Sequence, residues 1–137
     1  MLPNMFNHLQ ARDGAISSPG IPFGLRPNFV HVDKGRVEGI FPCDEAFQGL
    51  PGKLQGGIVS ALLESAMAHA LMAEGIEAIP ADMQVCFLLP VELGKEARMN
   101  GMLRLRKGPF NHMTACLSQD GQVRATARAR YLETLED

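Results

Sequence analysis

A single acidic residue, Glu64, stands in the middle of an otherwise apolar run that reads as a helix. Its neighbours three and four positions away are Ser60, Ala61, Met67 and Ala68, and no lysine or arginine lies within one turn. Two readings of this carboxylate follow. If it is enclosed by the apolar residues, burial without a cation should raise its pKa and fit it for general-base work near neutrality. If Ser60, Glu64 and Ala68 line the one open stripe of the helix, it is a solvated surface group. Ahead of it, Gln55-Gly56-Gly57 opens the helix. Glycines there let a ligand approach the backbone, and free N–H groups at a helix start favour an oxyanion. An oxyanion donor and a carboxylate two turns further on are the parts of an acyl-transfer site.

The other reactive side chains offer less. Cys43, Cys86 and Cys116 are odd in number and too far apart for a CxxC motif. Cys86 and Cys116 lie in apolar strand-like runs and are expected to be buried free thiols. His8, His31, His69 and His112 show no ligand spacing with one another or with a cysteine, so no metal is expected.

The elements that must carry these groups can be read in order. Residues 11–27 hold Gly14, Ser17, Ser18, Pro19, Gly20, Pro22, Gly24 and Pro27, which predicts an extended arm after a weakly helical start. We take residues 1–23 as that arm and 24–137 as the folded domain. Alternation around Phe29, His31 and Asp33, a Lys34-Gly35 turn and a second run from Arg36 to Phe41 predict a hairpin. A loop from Pro42 to Leu54 leads to the helix, expected from Gly57 to Glu74 and stopped by Gly75. Four strands should follow: Asp82 to Leu89, Ala97 to Arg106, Met113 to Ser118, and Gln122 to Leu132. In the last, Val123, Ala125, Ala127 and Ala129 alternate with Arg124, Thr126, Arg128 and Arg130, giving one apolar and one basic face.

The fold class is therefore α+β. The helix is apolar nearly all round, so it must be enclosed, and a curved antiparallel sheet is the simplest enclosure. The chain has 137 residues, 46% of them hydrophobic and 20% charged, with a net charge of −2. That fits one domain with one core, and the charge gives no reason to expect nucleic acid as a partner. No apolar stretch is expected to span a bilayer, and the start lacks the pattern of a signal peptide, so a cytoplasmic location is expected.

The run Phe47-Gln48-Gly49-Leu50-Pro51-Gly52-Lys53-Leu54-Gln55-Gly56-Gly57, followed by Ile58 through Glu64, resembles the hotdog-fold acyl-CoA thioesterases, in particular the branch related to phenylacetyl-CoA thioesterases. Phe87-Leu88-Leu89-Pro90-Val91, Asp120-Gly121, the alanine-rich last strand and Phe23-Gly24-Leu25 extend the resemblance over roughly residues 24–132. It implies a helix wrapped by an antiparallel sheet. It also implies a homodimer with two sites at the subunit interface, often paired again as a homotetramer, with acyl-CoA as substrate and no cofactor.

On the same resemblance, Glu64 matches the general base or nucleophile, and Gly56 the residue whose N–H polarises the thioester carbonyl, the two coming from opposite subunits. The substrate-binding set it implies is Gln48, Gly49, Gln55, Gly57, Met83, Gln84, Arg106 and Lys107. The last two stand where relatives often hold the nucleotide. The chain departs from the family in three places. Gln55 replaces a histidine, Gly49 falls where some members have asparagine or glutamine, and Ala68 falls where some carry a hydroxyl. Two other functions share the resemblance: a non-catalytic acyl-CoA-binding protein, and a hotdog dehydratase, whose Gly-His-x-Pro-Gly pattern is Gly49-Leu50-Pro51-Gly52 here.

Overall fold

The computed structural model describes residues 27–134. The expected arm and the Phe23-Gly24-Leu25 match lie outside the described residues. Six strands form one antiparallel sheet: β1 (Asn28–Asp33), β2 (Arg36–Pro42), β3 (Ala78–Phe87), β4 (Glu96–Lys107), β5 (Phe110–Gln119) and β6 (Gln122–Glu133). Their spatial order is β1-β2-β4-β5-β6-β3. One long helix, α1 (Gly56–Ala73), lies across the sheet, as expected of a hotdog fold.

The helix forms where alanine, leucine and methionine dominate and proline is absent. It stops at Gly75, whose φ of 74° suits glycine. There the Ile76 N–H donates to the Leu71 carbonyl and the Gly75 N–H to the Met72 carbonyl, each at 3.0 Å. Leu62, Leu63, Ala66, Met67 and Ala70 are wholly buried against Met99, Met113, Leu117 and Ala125 of the sheet. By length and composition α1 could cross a membrane, contrary to the sequence expectation, but two thirds of it (67%) is buried inside this fold.

The helix lies tight on the sheet at Gly101 of β4, where a Cβ would drive into the Ala66 carbonyl. Alanines 125, 127 and 129 of β6 are small for a similar reason: they sit under the helix and are buried. The strand beyond β6 is different. α1 packs on β1, β2, β4, β5 and β6, while β3 overhangs it. Met83 and Phe87 share the face of Ala129 and Ala125, yet Phe87 remains 57% exposed. β3 pairs only with β6, so its other edge has no partner among the described residues.

Two details correct the sequence reading. The last strand does not keep strict alternation. Leu117 pairs with Ala125 but Ser118 pairs with Val123, so Arg124 is an extra residue in a β-bulge. The bulge turns Val123 out to 41% exposure and brings Arg124 in at 7%, so Arg124 is not part of a basic face. Cys86 is exposed rather than buried, because it lies on the overhanging edge strand and faces away from the helix, and Cys116 is only half-buried.

Candidate active site

Apart from Ala73 at its C-terminal end, the incompletely buried residues of α1 fall at Gly56, Gly57, Ser60, Glu64 and Ala68, one stripe along the helix. Beside this stripe runs the overhanging inner face of β3, with Phe87 near Gly56: a Cβ on Gly56 would lie 3.8 Å from the Phe87 ring. At the helix start, where Phe87 approaches Gly56, an open, largely apolar groove forms. Both sequence readings of Glu64 are thus partly right. It lies on the open stripe, yet it is half-buried, and desolvation raises its pKa. Among the described residues no hydrogen bond or ion pair holds its carboxylate. Its backbone carbonyl accepts a hydrogen bond from the buried Tyr131 hydroxyl at 3.4 Å. Burial first, and the Glu64 charge second, raise the Tyr131 pKa, so the phenol keeps its proton.

The start of the helix is bare in the way an anion site requires. Gln55 is the N-cap but supplies no side-chain cap, and the Gln55 carbonyl takes the Ile58 and Val59 N–H groups at 3.0 and 3.1 Å. The Gly56 and Gly57 N–H groups have no acceptor among the described residues, and both glycines are exposed. A groove of about 290 Å³ opens beside them, lined by Leu54, Gly56, Val59, Phe87, Leu88, Leu89, Pro90 and Val91. Its chemistry is an apolar cradle with free backbone donors at one end.

The loop before the helix is self-supporting. The Gln48 side chain accepts from the Gly52 N–H at 2.9 Å, and the Gln55 amide donates to the Gln48 carbonyl at 3.2 Å. Gly49 packs so closely on Gln55 that a Cβ would lie 3.2 Å from the Gln55 Cα. In this chain Gln48, Gly49 and Gln55 therefore shape the turn that presents Gly56.

The remaining expected residues are dispersed. Met83 lies on the same face of β3 as Phe87, four residues away. Gln84 is on the opposite face, accepting from Arg128 Nε at 3.0 Å. Arg106 and Lys107 end β4 at the far end of the sheet. There Arg106 and Asn111 both bond the Glu133 carboxylate, at 2.9 and 3.0 Å, and hold its pKa down. Glu133 pairs with Ala78, nine residues along β3 from Phe87, which is roughly 30 Å at strand spacing. One chain therefore does not bring Arg106 to Gly56.

Tyr131 was missed in the sequence, although its position continues the inward phase of Ala125, Ala127 and Ala129. Among the described residues no cluster of three potential metal ligands occurs. The Cys43 thiol is buried and pushed up to about 11, so it is a poor nucleophile.

No family model matches the chain, and no curated protein does. Solved structures do. A phenylacetic acid degradation-related protein from Ralstonia eutropha JMP134 is 26% identical, with a TM-score of 0.76 over 93% of this chain and 98% of that one. A Streptococcus mutans UA159 protein bound to acetyl CoA matches with a TM-score of 0.77 at 16% identity, over 83% of this chain and 93% of that one. Zebra fish thioesterase superfamily member 2 matches at 0.75 and 16% identity, over 96% of this chain and 94% of that one. The chain has the hotdog fold, and its likeness is to the thioesterase superfamily, phenylacetic acid degradation-related proteins included.

Proposed function

We propose that this hotdog-fold chain hydrolyses an acyl-CoA thioester to the free acid and coenzyme A, in sites formed between two copies. The observation that carries the reading is the shared stripe of α1, with two glycine N–H groups at its start that have no acceptor among the described residues, and a desolvated carboxylate further along. In this reading the thioester carbonyl accepts from the Gly56 N–H, and the acyl group lies in the apolar groove beside Phe87 and Leu88. Glu64 takes a proton from water as its oxygen attacks the carbonyl carbon. The tetrahedral oxyanion is held at Gly56, and its collapse breaks the C–S bond and releases the thiolate, which takes up the proton. Attack by Glu64 itself, with water resolving the anhydride, uses the same groups.

Glu64 lies eight positions along the helix from Gly56, about 12 Å along the axis. That is too far for both to act on one carbonyl, so a complete site draws Glu64 from a second copy. The free edge of β3 is the natural contact. Phe87 sits at the level of Gly56, so an antiparallel β3–β3 pair centred near Val85 would set each Glu64 opposite the other Gly56. The same twofold would carry the second copy's Arg106 and Lys107 roughly 16 Å past Gly56 along the strand. A cation there suits the nucleotide end of coenzyme A. Dimers of this kind could pair again as tetramers.

The test is thiol release from a panel of aromatic and medium-chain acyl-CoAs, with Glu64→Gln as control. Glu64→Gln should stay folded and oligomeric while losing most of kcat. Turnover by Glu64→Gln at the wild-type rate would refute the role of the carboxylate. Binding of acyl-CoA without thiol release by the wild type would make the chain a binding protein.

A further inference from the structure

The β-bulge of β6 buries a cation. The Arg124 side chain is 8% exposed. Its guanidinium donates to the Pro90 carbonyl at 3.0 Å and lies 3.5 Å from the Glu92 carboxylate. Its Nε is buried without a partner among the described residues, a costly arrangement for packing alone. The backbone carbonyl of the same residue accepts from both the Leu88 and Leu89 N–H groups, at 2.8 and 3.0 Å. One residue thus grips Leu88, Leu89, Pro90 and Glu92 from two sides.

What it grips leads to Gly56. The Leu54 N–H donates to the Val91 carbonyl at 2.8 Å, and the Leu93 N–H to the Gly52 carbonyl at 3.0 Å. The segment after β3 is therefore laced to the turn that ends at Gln55. Gln119 completes the grip: its amide oxygen accepts from the Glu92 N–H at 2.8 Å, and its amide nitrogen donates to the Glu92 carbonyl at 2.9 Å. Phe87, Leu88 and Pro90 form one wall of the groove, and Gly56 lies against Phe87.

We propose that Arg124 is a positioning residue, holding the Leu88–Glu92 segment so that the Gly56 N–H and the apolar wall keep a fixed spacing. The inference rests on the proposed thioesterase reading for its kinetic consequence, but its structural consequence stands apart from it. Bond precision matters here because an oxyanion donor acts only within about 2.7–3.1 Å of the developing charge. Without the guanidinium, the wall would relax away from the helix start while the rest of the sheet and α1 remained in place.

The experiment compares wild type, Arg124→Met and Arg124→Lys in the full-length protein. Hydrogen exchange read by mass spectrometry should show residues 48–58 and 88–94 exchanging at least tenfold faster in Arg124→Met, with β4 and β5 unchanged. Arg124→Lys, which can still donate to the Pro90 carbonyl, should recover part of that protection. In turnover, Arg124→Met should lose tenfold or more in kcat with KM for acyl-CoA within about threefold. Unchanged exchange in these two segments would overturn the proposal, whatever the activity. Uniformly faster exchange across β4 and β5 would also overturn it, by showing a general stability role. If the wild type shows no thioesterase activity, the catalytic reading falls, and the exchange data alone still decide whether Arg124 positions the segment.

Discussion

The Tyr131 hydroxyl donates to the backbone carbonyl of Glu64 at 3.4 Å, so the last strand touches the helix at the residue that carries the carboxylate. Tyr131 is buried, and its side chain reaches the helix because β6 offers only alanines on that face before it. The contact fixes the height of Glu64 along the sheet. Tyr131→Phe should remove that one hydrogen bond at a cost of about 1 kcal/mol. Chemical denaturation should show the loss, and thiol release should fall several-fold with little change in KM.

Glu64 should also be a residue that weakens the fold. Its pKa is raised by desolvation, so the folded state binds its proton more tightly than the unfolded chain does. The resulting penalty is absent below the ordinary glutamate range and grows as pH rises through the raised value. Glu64→Gln should therefore melt higher than wild type at neutral pH, and the difference should vanish below about pH 4. A variant that melts lower at neutral pH would contradict the desolvated carboxylate.

The proposed twofold can be trapped chemically. With Cys86→Ser as background, Val85→Cys should form a disulfide-linked dimer on mild oxidation, because directly opposite residues bring their Cβ atoms to about 5 Å. Gln84→Cys with native Cys86 should cross-link as well, since a pair centred at Val85 opposes those two positions. A monomer on non-reducing gels in both cases, after exposure to oxidant, would reject this register.

His69 should make the fold acid-sensitive. Its ring stacks on Phe29 with centroids 4.5 Å apart, and Nδ1 lies 2.8 Å from the Ser65 carbonyl. Burial lowers its pKa to about 4, against a partial opposing effect of that hydrogen bond. The unfolded chain takes up the proton first, so stability should decline as pH falls from about 6.5 to 4, by up to about 3 kcal/mol. His69→Gln should flatten that slope in denaturation curves collected across this range.

Gly101 should tolerate no side chain. A Cβ there meets the Ala66 carbonyl and crowds the Met67 nitrogen at 3.0 Å. Gly101→Ala should force helix and sheet apart and cost about 1–3 kcal/mol or more. The loss would be read as a lower melting temperature without change in the oligomer formed by the folded fraction.

The local elements were legible in the sequence because each is written in short-range chemistry. The apolar period of α1, Gly75 at its end, the Lys34-Gly35 and Asp120-Gly121 turns and the alternation of β5 and most of β6 need no distant contact to be read. The run from Phe47 to Glu64 likewise led to the fold that the structure has. Where alternation failed, at Arg124, the cause is a bulge, and one extra residue in a ladder leaves no local mark in composition.

The sequence by itself determined that a long apolar helix must be enclosed by strands, and that a lone carboxylate and a bare glycine start share that helix. Only the tertiary structure decided which side of the helix stays open. Enclosure depends on how far the sheet reaches, and the order β1-β2-β4-β5-β6-β3 puts β3 beyond the helix. That one topological fact exposes Cys86, leaves Phe87 beside Gly56, and half-buries Glu64 instead of covering or freeing it. Strand order comes from pairing between residues far apart in the chain, such as Phe87 with Ala125. Periodicity records which face of a strand is apolar, but not which strand will lie beside it.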